Sequence, residues 1–359
     1  MMKSFFYLFR LRSFFQAGPE GRRLVPITGL CILLVVFLFL ALSSGAYDIG
    51  VREIMAVLAG HIPGVDTGPA DRLQDTIIWK IRLPRVLLAA TVGAALAFSG
   101  AVFQGCFRNP LVDPYILGIS SGAAFGAALG IVMPAFPLSV QALAFGFAFA
   151  AVAAAWGLSR HNGQTPVIML ILAGIIIGSV FSAFVGILKY LAEDAALREI
   201  VFWLMGGFYY AGWRDVALVA PVVTITFVLV LAFSWQLNIL SMGDTEARSL
   251  GVAPEPFKLF FIVSATLATA VAVSAVGIIP WVGLMMPHAA RLMIGPDNRF
   301  LIPMAALLGA LYLVFCDTLA RILVSAEIPI GIITSLAGAP YLFYLLRSKG
   351  VVQPGGSHA

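Results

Sequence analysis

IRLPRVLLAATVGAALAFSGAVFQGCFRNPLVDPYILGISSGAAFGAALGI, residues 81–131, is the stretch that decides the fold. It runs from an arginine-proline start through a small-residue apolar span. A polar Arg-Asn-Pro-Leu-Val-Asp-Pro break and a second small-residue span follow directly. The pattern predicts two membrane crossings joined by a short structured turn. In the second span Gly118, Gly122, Gly126 and Gly130 recur every four residues, so a glycine ridge on one helix face lets a neighbouring backbone come close. Pro110 and Pro114 stiffen the turn and keep it from being helical. Non-helical backbone near membrane depth is tolerated only where protein or an aqueous cavity surrounds it.

Outward from this stretch the composition agrees. The 359 residues are 61% hydrophobic and 11% charged, with a mean hydropathy of +1.00, which excludes an ordinary soluble domain. A formal charge of +5 carried mostly on loops speaks about orientation and gives no support to a nucleic-acid partner. Cys31, Cys106 and Cys316 all lie in apolar spans and predict neither a disulfide framework nor a metal site. The basic, aromatic start MMKSFFYLFRLRSFF has no small-residue cleavage site and is expected to be retained.

At about 20 residues per crossing, runs free of charge predict ten spans. They lie roughly at 26–44, 84–107, 115–133, 138–159, 166–189, 215–236, 256–276, 280–294, 300–324 and 330–347. The fold class is therefore an all-α integral membrane protein. Its organisation is a basic cytoplasmic segment over 1–25, a transmembrane domain over 26–347 and a cytoplasmic tail over 348–359. An even number of crossings puts both termini on one side. If that side is the cytoplasm, it holds thirteen of the 22 lysines and arginines, as the positive-inside tendency asks. Residues 198–215, rich in Trp and Tyr, predict a short helix at the outer interface, and 47–80 a loop with one helix near 50–59.

Several residues carry chemistry. No Gly-x-x-x-x-Gly-Lys-Ser/Thr loop occurs, so the chain has no nucleotide site of that kind. Buried acids and bases of the sort an ion relay uses are few. Asp317 and Arg321, four residues apart, predict an ion pair on one helix face. Gly243, Asp244, Glu246, Ala247, Arg248, Ser249, Leu250 and Gly251 describe a short capped helix between spans. The residues alone read equally well as a connector or a docking element. His288, three residues before Arg291, reads as structural, and His61, His161 and His358 are scattered.

With these motifs in view the chain resembles the permease subunits of type II ABC importers, the FecCD/BtuC family of iron-siderophore, haem and cobalamin uptake. The resemblance rests on IRLPR at 81–85, SGAVFQGCFRNPLVDPYILGISSGA at 99–123, LILAG at 170–174 and FWLMGG at 202–207. It continues with GDTEARSLGV at 243–252, VGLMMPHAARLMIGPDNR at 282–299 and EIPIGIITSLAGAP at 327–340. It implies a BtuC-like ten-helix fold in the cell inner membrane that pairs with a second copy or a paralogue. ABC ATPase subunits would hold ATP and magnesium, so that this chain binds no cofactor. A periplasmic substrate-binding protein would deliver cargo.

Carried over by motif, Arg82, Arg85 and Arg321 resemble outer basic residues that meet the binding protein. A charge pair there would mainly steer docking. Asn109 and Leu111 resemble an inner constriction, and Gly243–Gly251 the helix that couples to the ATPase. The fifth crossing lines the pathway in that family, which makes Ser179, Ser182, Ala183 and Gly186 the lining candidates. Trp281 departs from the more usual Phe before Val-Gly-Leu, and 161–166 does not align with the family's inner gate. The rival readings are an ion-coupled secondary transporter and a membrane scaffold that moves nothing.

Overall fold

The computed structural model describes residues 21–45, 47–64, 71–323 and 327–347. The expected tail at 348–359 and all but the last few residues of the basic N-terminal segment lie outside them. Among the described residues, ten apolar helices make the bundle. The passes are α1 (Gly21–Ser43), α3 (Arg72–Phe107), α4 (Ile119–Val132), α5 (Val140–Ser159), α6 (Val167–Leu191), α8 (Trp213–Ala232), α11 (Pro254–Val276), α12 (Val282–Ile294), α13 (Asn298–Leu323) and α14 (Ile330–Arg347). Short helices α2 (Val51–Gly60), α7 (Asp194–Met205), α9 (Ser234–Leu240) and α10 (Asp244–Ser249) join them. Seven of the ten are long and apolar enough to span a bilayer, and α4, α12 and the apolar part of α14 are shorter. The chain is a multi-pass membrane protein.

Two expectations are corrected. The segment before the second span is helical rather than a loop: Arg72–Asp75 continues through a π-helical stretch, Thr76–Arg82, into the span. The third pass starts at Ile119, because Pro114–Leu117 forms a 3₁₀ turn closed by Gly118 at φ 83°. The gap expected between the seventh and eighth spans is present: the chain is non-helical from Gly277 to Pro280, and the eighth pass is the 13-residue α12.

That internal break survives because protein groups satisfy its backbone. The Val276 carbonyl accepts from Gly207 N at 2.8 Å, and the Ile279 carbonyl accepts from the Tyr115 hydroxyl at 3.0 Å. Gly206 packs on the Ile278 carbonyl, Gly277 on that of Trp203, and Gly331 on that of Met205. A side chain at any of the three would strike backbone. Trp281 closes the break with the left-handed φ of 76°, rare for a bulky residue, and its ring lies where a Cβ on Gly338 would be.

Helix α3 is the hub. From Pro84 to Phe107 almost every side chain is buried, packed by α8, α11, α12 and α13. Lipid tails are as apolar as leucine, so such packing relies on close fit. Gly93 and Gly309 face each other so closely that a Cβ on either would strike the other's carbonyl; a Cβ on Gly100 would strike the Gly283 carbonyl, and one on Gly283 would strike the Pro114 ring. The predicted ridge on α4 works in the same way. Gly122 and Gly126 meet the carbonyls of Phe147 and Leu143 on α5, and Gly130 meets Val140, whereas Gly118 turns toward Gly174 and Gly178 on α6.

Gly100→Val should therefore cost about 1–3 kcal/mol as an overpacking change, read as a lower Tm in detergent. Gly146→Ala, with open space around its Cβ position, should be neutral or slightly stabilising. Equal Tm values would refute the close-approach account of α3.

Candidate functional site

At one end of the bundle five ionised side chains gather. Asp317, fully buried on α13, accepts from Arg85 Nε at 2.9 Å and pairs with Arg321 Nε at 3.2 Å. Arg85 also reaches Glu327 at 3.0 Å. Arg82 and Arg321 turn the other way, onto the end of α1. Arg82 donates to the carbonyls of Leu42 at 2.7 Å, Ser43 at 3.2 Å and Tyr47 at 2.6 Å. Arg321 donates to those of Ala41 at 3.1 Å and Ser44 at 3.0 Å. Two guanidiniums thus satisfy carbonyls that a helix C-terminus leaves without partners, and they complement its negative pole.

The structure turns the side chains of these three arginines inward. Arg82 and Arg85 are 6% and 7% exposed, and the Arg321 side chain is 8% exposed. Buried charge must be paired, and here the pairing consumes the cations. The predicted Asp317 and Arg321 pair forms, but Arg85 and Glu327 complete it. Nothing in the spacing of Arg85 and Glu327 links residues so distant in sequence.

At the opposite end α3 closes on Arg108 at φ 52°, and Asn109 and Leu111 follow as an exposed turn in which Asn109 Oδ1 accepts from Leu111 N at 3.0 Å. Gln104 buttresses this turn, donating to the carbonyls of Val112 and Leu284, both at 3.3 Å, and accepting from Arg291 at 3.1 Å. Beside it lies the segment Gly243 to Gly251. A Cβ on Gly243 would come within 3.3 Å of the Arg108 guanidinium. Ala247 is buried, whereas Thr245, Glu246, Arg248, Ser249 and Leu250 are exposed. Asp244 is drawn back to Lys258 on α11. The sequence-predicted turn and short helix are therefore neighbours, and together they form a projecting surface.

At that same end Asp297 joins three elements. Its carboxylate accepts from Arg299 at 2.8 Å, Asn238 at 2.8 Å and Arg23 at 3.3 Å. The Arg299 hydrogen bonds foremost, with Asn238 adding, hold this carboxyl down at about 2.

The pathway candidates lie elsewhere, on α6. Ser179, Ser182, Ala183 and Gly186 follow one another at helical spacing and are all exposed. Ser182 Oγ reaches Ser121 Oγ on α4 at 3.3 Å. Ile168, Leu172 and Ile175 continue the exposed face toward the Asn109 end. The structure thus places the candidates in three regions and brings together only the turn and the short helix.

Two outcomes follow from the charges. Asp317→Asn leaves two buried arginines without their carboxylate and should cost about 3–5 kcal/mol. Glu327→Gln, on a side chain 36% exposed, should cost about 1 kcal/mol or less; chemical denaturation in detergent would rank them, and a reversed ranking would remove Asp317 from the centre of the cluster. A carboxyl with a depressed folded pKa stabilises above its unfolded value and loses that contribution as pH falls through the folded one. The Tm advantage of the native chain over Asp297→Asn should therefore be full above pH ~4 and vanish near pH ~2; a gap that stayed constant from pH 7 to 3 would contradict the role given to Asp297.

The FecCD transport family matches residues 33–348. The chain is 39% identical to the cobalamin import system permease protein BtuC of Halobacterium salinarum, over 93% of this chain and 91% of that one. It is 39% identical to the molybdate import system permease protein MolB of Haemophilus influenzae, over 90% and 96%, and 41% identical to the hemin transport system permease protein HmuU of Yersinia pestis, over 90% and 96%. A solved inward-facing structure of a transporter described as metal-chelate type superposes with a TM-score of 0.80 at 37% identity, covering 89% of this chain and 98% of that one. The chain belongs to the FecCD transport family of ABC transporter permeases.

Proposed function

We propose that this permease carries an iron chelate, a siderophore complex or haem, or cobalamin from the periplasm to the cytoplasm through the cell inner membrane. ABC ATPase subunits bound below it would supply the energy. One observation carries the reading: a short helix with exposed Glu246, Arg248 and Leu250 projects between two spans of a chain that lacks a nucleotide-binding loop of its own. Such a helix gives a partner ATPase something to grip. ATP and magnesium belong to that partner, and the permease itself binds no cofactor.

In this reading the end bearing Asn109 and Gly243–Gly251 faces the cytoplasm, together with both termini. The positive-inside count supports that orientation. The exposed stripe of α6 faces a second permease copy, so that Ser179, Ser182, Ala183 and Gly186 line a pathway between subunits, and Asn109 and Leu111 narrow its inner mouth. Small side chains leave room for a bulky cargo, and the pathway selects little. A periplasmic binding protein docks at the end that holds Arg82, Arg85 and Arg321. There the buried cluster shapes the surface and does not itself offer free charge. The cobalamin and hemin relatives support a chelate cargo. The molybdate relative widens the class to include an oxyanion.

Vesicles holding the permease with its ATPase and binding protein should accumulate one of labelled ferric siderophore, haem, cobalamin or molybdate only when ATP is present. Accumulation driven by an ion gradient without partners would overturn the reading in favour of a secondary transporter, and no accumulation with intact binding would favour a scaffold. Arg248→Glu should lower ATP-driven uptake at least ~10-fold, an effect of the size expected for reversing a charge at an interface, while the permease still folds. Native uptake by this variant would remove the short helix from the coupling role.

A further inference from the structure

The short helix α10 is flanked by two glycines, Gly243 at φ 138° and Gly251 at φ 80°. Left-handed glycines make the turns at both ends of this six-residue helix, which backbone bonds from Gly243 N to the Leu240 carbonyl at 3.2 Å and from Val252 N to the Ala247 carbonyl at 2.9 Å close. One side-chain link through space ties it to α11. Lys258, on the second turn of α11, is 4% exposed, and its ammonium reaches back to Asp244 at the first position of α10. A second acid, Glu255, lies 3.4 Å from the same nitrogen but on α11 itself.

A lysine is an unexpected choice here. It sits near the N-terminal, positive ends of two helices, where a cation is disfavoured, and a buried ammonium costs stability unless paired. The placement therefore does little for either helix alone. What it provides is a rigid link between them. Beyond Lys258, α11 packs along α3, α5 and α8, so anything fixed to its N-terminal turn is fixed to the centre of the bundle.

We propose that Lys258 is a positioning residue for transport: its ion pair with Asp244 is the strut through which movement of the Asp244–Ser249 helix reaches α11 and the bundle. The inference rests on the coupling role given to that helix. It separates the two acids by topology, since Asp244 joins two elements and Glu255 only one.

The test uses the full complex in vesicles and reads cargo moved per ATP hydrolysed. It also reads the mobility of a spin label at Thr245→Cys in the permease alone. Lys258→Met, of similar length and uncharged, should raise label mobility and lower cargo per ATP at least ~5-fold, and Asp244→Asn should do the same. Lys258→Arg should restore both readouts to within ~2-fold of native, since it keeps the charge and the reach. Glu255→Gln should leave both near native. Unchanged label mobility in Lys258→Met would overturn the strut, and so would equal uncoupling by Glu255→Gln, which breaks no link between elements. Raised mobility with native cargo per ATP would overturn the proposal through the coupling reading, and native uptake by Arg248→Glu would then accompany it.

Discussion

Glycine at the points where helix backbones touch is the constraint from which the bundle follows. In a bilayer no water is expelled when apolar faces meet, so association must come from dispersion at short range and from satisfied polar groups. Helix α3 can lie directly on α12 and α13 because Gly93, Gly100 and Gly309 let carbonyls come where a methyl group would block them. Once α3 is enclosed, its polar residues must find partners inside the protein. Gln104 does so on α12 and the Asn109 turn, and Ser99 on the Ala265 carbonyl.

The two ends of the bundle handle charge in opposite ways. Around Asp317, charge is drawn inward and neutralised, and the end of α1 is bound to α3 and α13 by guanidiniums that double as helix caps. Around Gly243–Gly251, Lys258 is buried against Asp244 while Glu246 and Arg248 are left outside on a small element. An end held by several buried ion pairs resists deformation, since opening it would expose unpaired charge. An end that projects polar and apolar groups together is suited to contact with another protein.

Much of this was legible in the residues. Ten passes, the glycine ridge, the stiff turn at 109–114 and the isolated helix at 243–251 come from local signals: charge-free length, four-residue spacing and proline placement. The fate of the arginines was not legible. Arg82 and Arg85 stand at the start of a span, where an arginine ordinarily reaches water, and only the meeting of α1, α13 and residue 327 shows that they turn inward. The π-helical stretch before Leu83, which carries Arg82 to the end of α1, has no simple sequence mark. The break at 277–280 was marked by its glycine and proline, but its packing against Gly206 and Gly331 was not.

The same distinction bears on cargo. Selection by a pathway needs polar groups placed to pair with one ligand and to be left unpaired by another. The exposed stripe of α6 offers hydroxyls at Ser179 and Ser182, but Ser179 is already bonded to its own helix at Ile175 and Ser182 to Ser121. Ala183 and Gly186 add no polar side chain. If this stripe lines the pathway as proposed, it would exclude by size and dryness rather than by recognition. Relatives of nearly equal identity accordingly bear names as different as cobalamin, hemin and molybdate. A permease built in this way can keep its framework while the choice of cargo is made elsewhere in the assembly.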